Sequence, residues 1–132
     1  MDTLQCTKIF NQIMDEFFRE LIDLLPDQPQ INVQYNLFQG LCKTNIRKSC
    51  SQFMLGAIPY LEKIAMKDEN FFLSQDKPKL LTKLKFDVIW VGLSNNNKDI
   101  IWKYIKNFFV VGIKAVEMPP ETLPTINFII NN

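Results

Sequence analysis

Apolar residues recur along the chain at three- and four-residue intervals, the period of helices that bury one face. Over residues 8–25, Phe10, Ile13, Met14, Phe17, Leu21, Leu24 and Leu25 share one side, and Asn11, Gln12, Asp15, Arg19 and Asp23 take the other. The spacing predicts an amphipathic helix capped by Thr3 or Thr7. Pro26-Asp27-Gln28-Pro29 ends it, because proline biases the residue before it away from helix. A second, shorter helix is expected over residues 31–42, with Val33, Leu37, Phe38 and Leu41 as its buried edge and Gly40 near its stop. A third starts after Thr44 or Asn45 with the seam Ile46, Cys50, Phe53, Ala57. Tyr60, Leu61 and Ile64 stay in phase with that seam across Pro59. The segment is therefore one kinked helix to about Met66, or two helices in line with Pro59 opening the second.

Lys67-Asp68-Glu69-Asn70 is a polar break, and Phe71-Phe72-Leu73 follows it, either as a plug at the end of a helical core or as an exposed docking site. Residues 74–78 read as a loop. The fourth helix, over residues 79–93, has two apolar faces: Leu80, Leu81, Leu84, Val88 and Val91 on one side, Phe86, Ile89, Trp90 and Leu93 on the other. Such a helix is sandwiched within its own domain or offers one side to a partner. Ser94 or Asn97 caps a fifth helix over residues 98–111, with Asp99 in the first turn facing Lys103 at i,i+4. Its apolar residues leave a narrow polar stripe, so this helix is expected to be surrounded. Met118-Pro119-Pro120-Glu121 links it to Leu123, Ile126, Ile129 and Ile130, which fit a short final helix or an extended docking segment.

These elements predict an all-α fold: one compact bundle of about five to six helices over residues 1–132, with a proline-linked C-terminal segment over about 118–132. At 132 residues and 47% hydrophobic content the chain is large enough to bury a core without disulfide or metal staples. Its apolar runs are too short to cross a bilayer, and the acidic start Met1-Asp2 is not that of a signal peptide, so a soluble, non-secreted protein is expected. Cys6, Cys42 and Cys50 are odd in number and form no CxxC pair, which suits reduced, mostly buried thiols.

Histidine is absent. With it go the commonest general base, the commonest zinc ligand and every Ser-His or Cys-His nucleophile. Gly40, Gly56, Gly92 and Gly112 are isolated and form no phosphate loop. Asp15-Glu16 and Asp68-Glu69 are sequence neighbours and diverge on a helix, whereas Glu16 and Glu20 at i,i+4 lack a histidine to complete a metal set. No catalytic residue, metal, cofactor or small-molecule substrate is expected.

Charge is unevenly distributed along the chain. Residues 1–30 carry six acids against two bases, while residues 43–106 carry twelve bases against six acids. Lys43, Arg47 and Lys48 at the start of the third helix, with Lys79 and Lys83 at the start of the fourth, form a candidate nucleic-acid face, or else a solvated surface. The candidate protein-partner surface is Phe86, Ile89, Trp90 and Leu93 together with Phe71 and Phe72.

Four segments also carry a likeness: Asn45-Ile46-Arg47-Lys48, Ile58-Pro59-Tyr60, Lys67-Asp68-Glu69-Asn70-Phe71-Phe72-Leu73 and Ile101-Trp102-Lys103-Tyr104-Ile105. With the Met118-Pro119-Pro120-Glu121 tail, they resemble a recurring group of small proteins of nucleocytoplasmic large DNA viruses, giant and algal viruses among them. The resemblance spans about residues 8–130. It implies an all-helical protein of the host cytoplasm, viral factory or virion, and it carries no catalytic residues. The function expected is a non-enzymatic interaction or accessory role through apolar helix surfaces, with self-association or a protein partner. The alternative is a nucleic-acid-associated factor in viral transcription, replication or packaging.

Overall fold

The structure, a computed structural model, describes residues 2–132; Met1 of the Met1-Asp2 start lies outside the described residues. All regular structure among them is helical. Helix α1 spans Thr3–Leu24, α2 Pro29–Thr44 and α3 Lys48–Gly56, followed by a 3-10 turn at Ile58–Tyr60 and α4 over Leu61–Ala65. Single turns α5 (Asn70–Leu73), α6 (Lys79–Lys83) and α7 (Phe86–Ile89) lead through a 3-10 turn at Trp90–Gly92 to α8, Asn95–Ala115. Another 3-10 turn at Pro120–Thr122 opens α9, Leu123–Asn131.

Long helices α1 and α8 pack lengthwise on each other, and the other elements are laid over them. The Asp2 carboxylate caps α1 by accepting from the Gln5 amide at 2.7 Å, ahead of the expected Thr3 or Thr7; Thr7 instead donates back to the Thr3 carbonyl at 2.8 Å. At α8 the cap is Ser94, whose hydroxyl accepts from the Asn97 amide at 3.2 Å. The fifth helix is surrounded as its pattern requires: Ile101, Trp102, Ile105, Phe108, Phe109 and Gly112 are buried under α1, α3 and α9.

The core is aromatic. Eight of the eleven phenylalanines and Trp90 are less than 2% exposed, and each such side chain is worth about 1.5–3 kcal/mol of burial. Phe108 sits where three helices meet, 5.2 Å from Phe10, 5.6 Å from Phe17 and 5.0 Å from Phe53. From Phe17 the rings continue through Phe86 to Phe72, which stacks on Trp90 at 4.0 Å and meets Trp102 edge-on at 4.9 Å. Phe71 and Phe72 are wholly buried, so the pair plugs the core and is not a docking site.

Two expectations fail for instructive reasons. The continuous fourth helix does not form, because Leu84 and Phe86 are both fully buried yet would stand about 200° apart on one helix. The chain breaks between them at Lys85, in the left-handed region with φ 57° and ψ 48°, and this brings both side chains into the core. Val88 and Val91, expected inside, are left exposed. On α2 the expected edge is only partly used: Phe38 is buried and Leu41 half-buried, but Val33 and Leu37 face outward. Ile31, Tyr35, Phe38 and Cys42 form the stripe that packs.

Pro59 lies in the 3-10 turn that separates α3 from α4, so the segment is two helices rather than one. Helix α4 ends in a Schellman motif with Lys67 as its left-handed residue: the Lys67 amide bonds the Ile64 carbonyl at 3.1 Å and the Asp68 amide the Lys63 carbonyl at 2.9 Å. The tail is helical, and Ile126 and Ile129 seat α9 on α4 and α8. No helix of the described residues is long and apolar enough to cross a membrane.

Two positions test this packing. Lys85→Gly is expected to exceed Lys85→Ala in stability by about 1 kcal/mol, since only glycine adopts the left-handed region without cost; urea midpoints at constant slope measure the difference. At Gly112 a methyl group would overlap the Met54 sulfur and lie 2.8 Å from Met54 Cγ. Met54 is fully buried, so moving its flexible end aside is not free, and Gly112→Ala should cost about 1 kcal/mol in the native background. Against Met54→Ala the same change should become neutral or stabilising by up to about 1 kcal/mol, the helix propensity of alanine over glycine, and a double-mutant cycle reads that reversal.

Candidate functional site

The candidate partner surface is core. Phe71, Phe72 and Phe86 are fully buried, Ile89 is 2% and Trp90 1% exposed, and Leu93 stands at 9%. The break at Lys85 turns this face inward, so none of the six residues is free to meet a partner. Trp90 has a polar handle at the rim: its Nε1 donates to Glu69 Oε1 at 3.0 Å, Lys98 Nζ reaches the same oxygen at 3.2 Å, and the ammonium lies 5.3 Å from the indole centre. The Trp90 hydrogen bond first, then Lys98, holds the Glu69 carboxyl below its ordinary value.

The five candidate nucleic-acid contacts fall into two groups. Lys43 lies in the last turn of α2, with Arg47 and Lys48 at the entry to α3, where the Arg47 guanidinium donates to the Thr3 hydroxyl at 3.3 Å. Lys79 and Lys83 belong to α6, near the far end of α3. Of the five, only Lys79 and Lys83 line the apolar groove between α2 and α3.

That groove does not coincide with either expected site, and it encloses about 530 Å³. Helix α2 forms one wall through Gln34, Leu37 and Leu41, and α3 forms the other through Ser49, Gln52, Phe53 and Gly56. Met14 and Phe18 of α1, with Phe38, make the floor. The segment Lys77-Pro78-Lys79-Leu80 and Lys83 closes one end. It is held there by the Tyr60 hydroxyl, which donates to Asp76 Oδ1 at 2.7 Å, and by Gln30 Nε2, which donates to the Leu84 carbonyl at 3.3 Å.

The α2 wall is fixed to α1 by its other stripe. Tyr35 donates to Asp15 Oδ1 at 2.6 Å, and Arg19 Nε donates to the Tyr35 oxygen at 3.1 Å and pairs with Asp15 Oδ2 at 2.9 Å. Phe18 packs against Phe38 at 5.4 Å between ring centres. The signal for the groove was present in the sequence: Val33, Leu37 and Leu41 repeat at i, i+4, i+8 beside the stripe that packs, so α2 carries more apolar surface than one neighbour covers.

Charge in the lining is of one sign: Lys77, Lys79 and Lys83, with no acid. A second cavity of about 400 Å³ between α4, α8 and α9 mixes Lys67, Lys103 and Lys106 with Asp99 and has no such bias.

No chemistry converges in either cavity. The described residues hold no group of three Cys, Asp or Glu placed to bind a metal. Cys6 and Cys50 are buried and Cys42 half-buried. Burial foremost, with Cys6 adding, pushes the Cys50 thiol up to about 12; burial raises Cys42 as well, with Asp15 second. Both therefore stay protonated thiols at neutral pH, the unreactive form.

Glu69 supplies a pH test of the Trp90 rim. A depressed carboxyl contributes stability that is complete above its unfolded value of about 4.3 and is lost as pH falls through its folded value. Glu69→Gln should therefore unfold at lower urea than the native chain from about pH 5 upward, by a small margin as befits an exposed group, and the two curves should converge on acidification. Tryptophan emission follows the transition. Comparisons of the chain with protein-family models, with curated proteins and with solved structures found no match.

Proposed function

We propose that this chain is a non-enzymatic interaction protein that docks an apolar, acid-bearing segment of another protein in the groove between α2, α3 and α6. The observation that carries the reading is the exposed apolar surface of α2, with Val33 55% and Leu37 60% exposed, beside a preformed, largely apolar cavity whose charged lining residues are all lysines. Charge complementarity favours an acidic occupant. The resemblance of Lys67-Asp68-Glu69-Asn70-Phe71-Phe72-Leu73 and Ile101-Trp102-Lys103-Tyr104-Ile105 supports a setting in a large DNA virus: the host cytoplasm, the viral factory or the virion. A nucleic-acid role has less support, because the five basic residues are divided between the α2–α3 junction and α6 and only Lys79 and Lys83 share the groove.

The test compares the native chain with Leu37→Glu in affinity purification from infected cells. Position 37 is exposed, so this substitution should change the urea midpoint by no more than about 0.5 kcal/mol in stability. A specific partner recovered with the native chain should be lost with the variant and should bind the purified native chain directly. An identical set of proteins with both chains would exclude the groove as the docking site.

A further inference from the structure

The groove is about as long as two helical turns. Its α2 wall runs from Gln34 to Leu41 and its α3 wall from Ser49 to Gly56, seven residue steps each, or about 10.5 Å at 1.5 Å per residue. A guest helix covers that length with apolar side chains at i, i+3 or i+4, and i+7.

At the end closed by α6, Lys77 has only 9% of its surface exposed, and its ammonium makes one hydrogen bond, to the Ser74 carbonyl at 2.6 Å. No carboxylate pairs with it: among the described residues the ion pairs are Asp15 with Arg19 and Glu69 with Lys98. Neighbouring Asp76 accepts from Tyr60 instead. An ammonium has three donors and Lys77 uses one on a protein acceptor, so it can take an anionic partner as well.

Resting on the groove as docking site, we propose that its occupant is an amphipathic helix of about two turns with three apolar anchors, and that a carboxylate at one end of it pairs with Lys77, flanked by Lys79 and Lys83. Lys77 then determines specificity. It selects acid over amide at the closed end, while Lys79 and Lys83 at the rim steer encounter.

The test uses the full chain as bait for a display library of random 14-residue peptides. Enriched peptides should carry apolar residues at helical spacing with Asp or Glu beside them. For a synthetic lead peptide, Leu37→Glu and Lys77→Gln should each weaken binding about tenfold or more. Lys79→Glu with Lys83→Glu should weaken the acidic peptide and favour its Glu-to-Lys counterpart. Unchanged urea midpoints keep these losses separate from unfolding.

Enriched peptides that are apolar and groove-dependent but neutral or basic would overturn the acidic occupant and leave the groove reading standing. Alternating rather than helical spacing would overturn the helix. Peptides indifferent to Leu37→Glu, or no binder at all, would overturn both readings. So would a dimer in solution abolished by Leu37→Glu, which makes a second copy the occupant, or saturable oleate binding in the groove without peptide binding.

Discussion

Phe108 sets the geometry of this protein. Its ring touches Phe10 and Phe17 of α1 and Phe53 of α3, so three helices are held at one point by edge and tilted contacts of 5.0–5.6 Å. Rings of this size tolerate little displacement, because close-packed interiors lose attraction quickly as gaps open. With α1 and α8 joined there, α8 is enclosed by α1, α3 and α9. Helix α2 is held against α1 by Phe38 on Phe18 and by the Tyr35, Asp15 and Arg19 cluster, and its outward stripe finds no cover. A groove beside α2 thus follows from packing the rest of the chain around one phenylalanine.

Much of the fold was legible in the residues. Helices α1 and α8 announce themselves by long apolar repeats, and Ser94 marks its helix start by the short polar side chain that bonds the Asn97 amide. What stayed hidden was the break at Lys85. Read as one helix, residues 79–93 show two opposed apolar faces, and that pattern is equally that of two short turns joined by one left-handed residue. Only the tertiary requirement that Leu84 and Phe86 both enter the same core decides between them. Lysine carries no local signal for a left-handed position, unlike glycine or asparagine, so its cost of about 1–2 kcal/mol is met by burial on either side.

The same ambiguity moved the candidate site. Phe86, Ile89, Trp90 and Leu93 looked spare only while residues 79–93 were a continuous rod; once the rod bends, they become the wall behind Phe72 and Trp102. The spare residues, Val33 and Leu37, read as core by periodicity, because a lone helix does not reveal which of two adjacent stripes meets its neighbour. Tyr35 breaks the tie physically: its hydroxyl reaches Asp15 only if the Ile31, Tyr35, Phe38 stripe faces α1.

Building the groove on α1 has a further consequence. Its floor, Met14 and Phe18, belongs to the same helix face that anchors Phe108, so the cavity is preformed and the proposed docking would require little ordering of the host. Its walls differ: Phe38 and Phe53 pack on the aromatic core and hold shape, whereas Leu37, Lys79 and Lys83 are exposed and carry little of that packing. In the proposed reading, stability and recognition fall to different side chains. That separation lets a small aromatic core maintain an exposed apolar surface without depending on its being filled.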